Sequence, residues 1–313
     1  MTSVRQPLPR RARHFLKSLR RSWMLTLFVL PALVTVFIFS YIPMYGVKMA
    51  FQDFRPALGL EGSKMVGFAH FLRFFRSYQF SNLLENTLLL SLYGLAAGFP
   101  LPILLALMLN QMRSLRFKRV MQTATYLPHF ISTVVLAGMI TIFLSPSIGL
   151  YGVIARALGV ARPANILANR EYFRSIYVLS GVWQHTGWDS IIYVAALASI
   201  DPSLYEAATI DGANRLQKTW YIDLPMLKPT IVILLIISVG SIMNVGYEKV
   251  FLLQNDVNLP RSEVISTYVY KSGVVNAQYG FSAAVGLFNA LVNFILLIIV
   301  NFAARKLADY SLW

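Results

Sequence analysis

Polar and aromatic side chains interrupt several long apolar stretches of this sequence, and their spacing places some of them on shared helix faces. Gln184 and Trp188 are four residues apart, as are His185 and Asp189, so each pair lies on one face of a helix. Aromatic rings stack on the C–H faces of sugars, and amides form hydrogen bonds with sugar hydroxyl groups. We predict that residues from this set line a path for such a ligand: Trp183, Gln184, His185, Trp188, Asp189, Asn244, Tyr247, Asn289 and Asn293.

The sequence leaves two further roles open for the same residues. Polar groups within apolar helices also form hydrogen bonds between neighbouring helices, and tryptophans gather at membrane interfaces. His185 and Asp189 together are also the pair of groups that a proton relay would use.

Motifs of the common catalytic and nucleotide-binding sites are missing from the sequence. There is no G-x-x-x-x-G-K-[ST] phosphate-binding loop, no H-E-x-x-H and no G-x-S-x-G. The chain has no cysteine, and its four histidines, at positions 14, 70, 129 and 185, are scattered. We therefore predict a chain that is not an enzyme, with no catalytic residue, metal site or cofactor of its own.

Composition indicates a membrane protein. Hydrophobic residues make up 57% of the chain and charged residues 13%, against about 25% charged in soluble proteins. A membrane-spanning helix needs about 20 apolar residues, and six runs of the sequence supply them. The predicted fold is therefore all-α and polytopic, with six transmembrane helices at residues 24–45, 86–110, 120–144, 176–198, 229–249 and 281–303.

The distribution of basic residues predicts the orientation of these helices. The net charge is +15, and Lys and Arg are about twofold denser on the side that holds both termini, which we place in the cytoplasm. This gives a basic cytoplasmic tail (1–23), a six-helix transmembrane domain (24–304) and a cytoplasmic C-terminal tail (305–313). A basic tail facing anionic lipid headgroups explains the charge, so membrane lipid is the predicted partner and nucleic acid is not.

The loop between the fourth and fifth spans, residues 201–228, has helix signals of its own. Asp201 followed by Pro202 predicts a helix start, and Ser203 with Glu206 offers an alternative capping box. Gly212 predicts the end of this helix. A second short helix is expected from residue 215 to 220, ending at Leu224-Pro225, so the loop is predicted to be a helix–turn–helix on the inner membrane surface.

This loop resembles the EAA signature of ABC importer permeases. The pattern E-A-A-x3-G-x9-I-x-L-P is matched at every fixed position, by Glu206, Ala207, Ala208, Gly212, Ile222, Leu224 and Pro225. Other segments resemble the branch that imports oligosaccharides and polysaccharide fragments. They are residues 30–32, 41–46, 50–54, 67–71, 74–75, 86–87 and 126–128.

The resemblance implies the type I ABC importer permease fold and a set of partners. Two permease subunits, usually different chains, form the membrane pathway, and each offers its EAA loop as a coupling helix to one of two cytoplasmic ATPase subunits. A solute-binding protein outside the membrane delivers the sugar. ATP and Mg would be bound by the ATPase subunits and not by this chain. The seven matching residues above would be its ATPase-coupling positions.

The resemblance places the chain in the inner membrane of a bacterium. The outer loops, near residues 47–82, 145–174 and 250–280, carry 11 Lys and Arg against 5 acidic residues. This excess favours an acidic saccharide such as a uronate polymer, for example alginate. The main alternative is an ion- or proton-coupled secondary transporter, which should show inverted repeats or matching broken helices. Neither is visible in the sequence, and that alternative would leave the EAA loop unexplained.

Overall fold

The computed structural model of the chain describes residues 22–308 and 311–312, and this part is almost entirely helical. Residues 1–21 of the predicted basic tail lie outside it. One two-stranded sheet within the described residues pairs β1 (Gln52–Asp53) antiparallel with β2 (Lys64–Met65). The helices are α1 Trp23–Val36, α2 Ile42–Met44, α3 Gly59–Gly62, α4 Ala69–Phe75, α5 Phe80–Gly98, α6 Pro100–Asn110, α7 Leu115–Tyr126, α8 Thr133–Phe143, α9 Leu150–Ala157, α10 Phe173–Ala198, α11 Pro202–Ile210, α12 Arg215–Lys218, α13 Leu224–Gly240, α14 Tyr247–Leu253, α15 Leu259–Ser262, α16 Ile265–Tyr270 and α17 Tyr279–Ala308.

Four helical segments in the described residues combine the length and apolar composition of a membrane span: Trp23–Phe51, Phe80–Asn110, Arg215–Gly240 and Tyr279–Lys306. A bent pair, Leu115–Phe130 with Thr133–Phe143, makes a fifth if it is counted as one span. The fourth predicted span is α10, whose 26 residues reach about 39 Å, but its polar side chains leave it outside this apolar set. The predicted all-α, polytopic fold is confirmed.

The third predicted span, 120–144, is not one continuous helix. It bends by 97° between Phe130 and Thr133. Pro128 opens a 3₁₀ turn, and Ser132 then caps α8 by accepting a hydrogen bond from the Val135 amide (3.4 Å). The apolar run did not reveal this break, because hydropathy does not distinguish one continuous helix from two helices, the second of which begins at its own N-cap.

The fifth predicted span, 229–249, is displaced along the chain. Its helix begins at Arg215 and ends at Gly240, so Leu224-Pro225 does not end a helix as predicted. A π turn, Thr219–Asp223, joins α12 to α13, and Pro225 lies in the first turn of α13, where a missing N–H is tolerated. Tyr247 and Lys249 consequently belong to a separate helix, α14.

Helix α10 lies at the centre of the bundle. It packs against α5, α6, α7 and α13, and one of these contacts depends on a glycine. A Cβ atom at Gly187 would overlap the carbonyl group of Thr125 in α7. Backbone-to-backbone contact at this point therefore holds α10 against the bent span. By contrast, the most apolar stretch of Trp23–Phe51 buries none of its residues against the rest of the chain, so this helix presents its surface to lipid or another subunit.

We predict that Gly187→Ala destabilises the bundle. Overpacking of a tight contact typically costs about 1–3 kcal/mol, and here the obstacle is backbone, which cannot rotate away. The measurement is the thermal unfolding midpoint of the purified chain in detergent. The matched control is Gly94→Ala in α5, because a Cβ there has nothing within 4 Å. Equal midpoints for the two variants would contradict the proposed contact.

Candidate coupling surface and cavity

The predicted coupling loop folds as a helix–turn–helix. Asp201 is the N-cap of α11, with its carboxylate accepting a hydrogen bond from the Ser203 amide (2.9 Å). This hydrogen bond holds the pKa of Asp201 below its usual value. Because α11 begins at Pro202, Ser203 lies inside the helix, and the alternative capping box at Ser203 and Glu206 does not form.

A tight turn joins the two helices of this loop. Gly212 has φ +76°, a backbone conformation that most side chains disfavour, and the Ala213 amide bonds the Ala208 carbonyl (2.8 Å). Asn214 and Gln217 then form a capping box at the start of α12. The Lys218 ammonium donates to the Thr209 hydroxyl (2.7 Å) and so ties α12 back to α11.

The loop exposes a large apolar surface, which we call the coupling surface. It comprises the exposed side chains of Leu204, Ile210, Leu216, Trp220 and Tyr221. The exposed fraction of Ile210 reaches 87%. Contiguous apolar groups of this kind on a protein surface mark interaction sites. The motif residues Glu206, Ala207 and Gly212 are exposed beside them.

The second half of the motif attaches the loop to the bundle. Ile222 and Leu224 pack against a buried cluster that includes Leu107, Leu197 and Leu227. Pro225 is exposed. The motif is thus divided between a mainly exposed part, in which Ala208 alone is half-buried among Glu206, Ala207, Ala208 and Gly212, and an anchoring part formed by Ile222 and Leu224. The assignment of all seven positions to ATPase coupling stays a prediction.

A buried carboxylate strengthens this anchor, and the sequence analysis did not identify it. Asp223 is fully buried, and its carboxylate accepts hydrogen bonds from the Tyr205 hydroxyl (2.5 Å), the Gln111 amide (3.2 Å) and the Asn110 amide (3.4 Å). Burial, and next the bond to Asp223, raise the pKa of Tyr205 to about 12. The Asp223 carboxylate therefore joins three segments of the chain, which are the end of α6, helix α11 and the π turn.

A cavity of about 500 Å³ opens on one face of α10. Tyr177, Gly181, His185 and Asp189, spaced four residues apart, form a row along this face. Opposite them lie residues of α5, α6, α13 and α14, and these are Gly94, Leu95, Gly98, Phe99, Pro102, Leu234, Ser238 and Lys249. The cavity therefore carries aromatic, imidazole, carboxylate, hydroxyl and ammonium groups.

Of the nine predicted path residues, His185 and Asp189 line this cavity. His185 pairs its Nδ1 with Nδ1 of His129 (3.2 Å), and no hydrogen bond joins it to Asp189, so the direct contact expected of a relay is missing between these two residues. Trp183 is half exposed outside the cavity. Trp188 stacks on the His129 ring, with centroids 4.4 Å apart.

Gln184 has a structural position. Its side chain is buried, and its amide donates to the Ile131 carbonyl (2.7 Å), a backbone group at the bend of the broken span. Gln184 and Trp188 do share a face of α10, and the role of either residue toward a ligand stays a prediction. Both residues contact the bend between α7 and α8.

The three predicted asparagines form hydrogen bonds with one another. This agrees with the second role that the sequence left open for them, namely hydrogen bonding between neighbouring segments. The amides of Asn289 (3.1 Å) and Asn293 (2.8 Å) on α17 both donate to the Asn244 carbonyl oxygen, and Asn293 accepts from the Met243 amide (2.9 Å). Tyr247 stacks on Tyr270, with ring centroids 5.1 Å apart. These bonds fix the irregular segment between α13 and α14.

A bundle of membrane-length apolar helices with an open cavity, mainly apolar but carrying several polar groups, and with an exposed helix–turn–helix is consistent with a membrane transport subunit. Residues 98–309 match the family described as the binding-protein-dependent transport system inner membrane component. This chain belongs to that family and is therefore a multi-pass inner-membrane permease component. The identification made from the EAA spacing is confirmed.

Individual relatives agree with this assignment. The chain is 41% identical over 304 residues to the polygalacturonan/rhamnogalacturonan transport system permease protein YteP of Bacillus subtilis (97% of this chain, 94% of that protein). It is 38% identical over 299 residues to protein LplB of the same organism (96% and 94%). A crystal structure of a bacterial ABC transporter involved in the import of the acidic polysaccharide alginate matches with TM-score 0.85 and 41% identity, over 94% of this chain and 99% of that one.

Proposed function

We propose that this chain is the permease subunit of an ATP-driven importer that takes an acidic, uronate-containing oligosaccharide or polysaccharide from an extracytoplasmic binding protein into the cytoplasm. The observation that carries the transport mechanism is the position of the complete EAA pattern on an exposed helix–turn–helix that is anchored in the bundle. The substrate class is supported by relatives whose names specify polygalacturonan and alginate. A secondary transporter would leave both observations unexplained.

The coupling surface and the cavity are joined by one helix. Residues 215–240 run continuously from Trp220, on the coupling surface, to Leu234 and Ser238, which line the cavity. Between positions 219 and 238 the helix rises by about 28 Å. A displacement of the loop by a docked ATPase is therefore delivered to the cavity wall. The ATPases must bind one state of the permease better than the other for this displacement to shift the equilibrium.

The proposal includes a specific set of partners. Two ATPase subunits bind ATP and Mg and hydrolyse the nucleotide, and one of them docks on the coupling surface. A second, different permease chain completes the pathway, and the binding protein delivers substrate on the opposite side. Both termini lie in the cytoplasm, on the side of the coupling surface. One solved relative is an alginate ABC transporter in complex with a pentasaccharide-bound periplasmic protein, which matches with TM-score 0.85.

Reconstitution tests this function. We expect the purified chain alone to hydrolyse no ATP, because its sequence has no phosphate-binding loop. With the second permease, the ATPases and the binding protein in proteoliposomes, we expect ATP-dependent uptake of labelled oligogalacturonate. ATP turnover by the isolated chain, after contaminating ATPases are removed, would contradict the assignment of ATP hydrolysis to separate subunits. Uptake that follows an ion gradient without ATP would instead support a secondary transporter.

A further inference from the structure

Lys249 places an ammonium group in the cavity without an acidic partner. Its Nζ donates to the Tyr177 carbonyl (2.9 Å) and lies over the Tyr177 ring, 4.7 Å from the centroid. None of the ion pairs between described residues involves Lys249. Because an ammonium has three N–H donors and this contact uses one, two donors remain for another group.

The backbone of α10 is shaped to admit this ammonium. A Cβ atom at Gly181 would lie 3.2 Å from the Lys249 Nζ, which is closer than most side-chain contacts. The missing side chain at Gly181 therefore leaves the space in which Nζ reaches the carbonyl one turn away. Gly181 and Lys249 are 68 positions apart in the sequence and both line the cavity, so the position of the amine is fixed by the fold.

Other ionisable groups of the cavity lie farther along the same helix. His185 follows Gly181 by one turn, and Asp189 follows it by eight residues, or about 12 Å of axial rise. The carboxylate of Asp189 is thus displaced along the row from the amine. The local charge that a ligand meets beside Gly181 is positive.

We propose that Lys249, held in the space left by Gly181, is a carboxylate-binding subsite that receives a uronate carboxylate of the saccharide as it passes through the cavity. This proposal rests on the proposed import of an acidic saccharide. A carboxylate that leaves water for a cavity in the membrane loses hydration, and a charge-assisted hydrogen bond from an ammonium compensates for that loss.

The first test compares transport of two ligands by the assembled transporter in proteoliposomes. The ligands are a galacturonate trisaccharide and its methyl ester, each used at a concentration that saturates the binding protein as measured separately. We expect Lys249→Gln to lower uptake of the acid at least tenfold more than uptake of the ester. Gly181→Ala should also lower the ratio of acid uptake to ester uptake, because it displaces the Lys249 ammonium without removing it.

The matched control is Lys64→Gln, which removes the same charge from an exposed position on β2. It should leave the acid-to-ester ratio at the wild-type value. An unchanged ratio in Lys249→Gln would overturn the subsite while leaving the proposed function intact. If the wild-type transporter took up a neutral oligosaccharide and no acid, the substrate class and the subsite would both be wrong.

A second measurement detects the contact itself and does not depend on transport rates. A carbodiimide converts a carboxylate into an O-acylisourea, from which an amine displaces a urea and forms an amide. An amine that already holds the carboxylate is favoured in this step, so the galacturonate trisaccharide should become attached to Lys249 more than to the exposed Lys64 in the loaded, assembled transporter. Mass spectrometry of the peptide that contains residue 249 identifies the adduct. An adduct at Lys64 and none at Lys249, in a transporter that takes up the acid, would overturn the subsite.

Discussion

Replacing Gly212 by aspartate is expected to abolish coupled transport, with uptake at least tenfold below wild type at a normal level in the membrane. Gly212 is exposed and has open space where a side chain would begin, so the added side chain meets no steric obstacle. Its φ of +76° strains the backbone of a residue that has a side chain, and asparagine at this position carries the same strain as aspartate. In the docked complex, however, the added carboxylate would be buried without a partner. An uncompensated buried charge costs several kcal/mol, whereas a tenfold loss of uptake corresponds to only about 1.4 kcal/mol.

Gly212→Asn is the matched control for this prediction. Asparagine and aspartate have nearly the same shape, and both adopt positive φ more readily than other side chains, so the two variants differ mainly in charge. We expect uptake by the asparagine variant to stay within threefold of the wild-type rate. The measurement is substrate uptake alongside ATP turnover in the same vesicles. Wild-type transport by Gly212→Asp would show that this turn does not enter a docking cleft.

Replacing Asp223 by alanine is expected to have the second large effect. The substitution removes the shared acceptor of Tyr205, Asn110 and Gln111, which are half-buried donors. Gln111 keeps its bond to the Thr219 hydroxyl (3.2 Å), so the loss falls mainly on the other two, and a buried donor left without an acceptor costs about 1–3 kcal/mol. We expect α11 to separate from the bundle, so that ATP turnover continues while uptake falls at least tenfold. Asp256→Ala, at an exposed position between α14 and α15, is the control and should transport normally.

A graded variant separates anchoring from general damage to the fold. Tyr205→Phe removes one donor and leaves the amides of Asn110 and Gln111 on the carboxylate, so its loss of uptake should lie between those of Asp223→Ala and wild type. Retention of the monodisperse complex in size-exclusion chromatography shows that assembly is intact. If Asp223→Ala transported as well as Asp256→Ala, the buried acid would not transmit movement.

The coupling loop was predictable from sequence because its signals are local. Asp201 before Pro202 starts a helix, Gly212 supplies the positive φ of the turn, and the spacing to Leu224 carries the family resemblance. Asp223 was missed because the motif treats its position as variable. Its importance depends on Tyr205, Asn110 and Gln111, which come from two other segments of the chain.

The cavity was predicted less completely. The four-residue spacing of His185 and Asp189 correctly placed both on one face of a helix, and both line the cavity. Lys249 was placed at the end of the predicted fifth span, 229–249, although that helix ends at Gly240 and Gly246 is the N-cap of a new helix that contains Lys249. No local pattern could show that its amine returns to Gly181, because that contact exists only after α10 and α14 have packed.

The π turn at Thr219–Asp223 links the spacing of the motif to the angle between the helix residues before the turn and those after it. In this turn the Leu224 amide bonds the Thr219 carbonyl, five residues back instead of four, so the turn contains one residue more than an ordinary α-helical turn. Each residue of an α-helix advances the azimuth by about 100°. A π turn takes up its extra residue within one turn, so the helix after it keeps nearly the azimuth that an α turn one residue shorter would give. The segment between Gly212 and Ile222 therefore carries an additional residue while Ser238 keeps its direction toward the cavity.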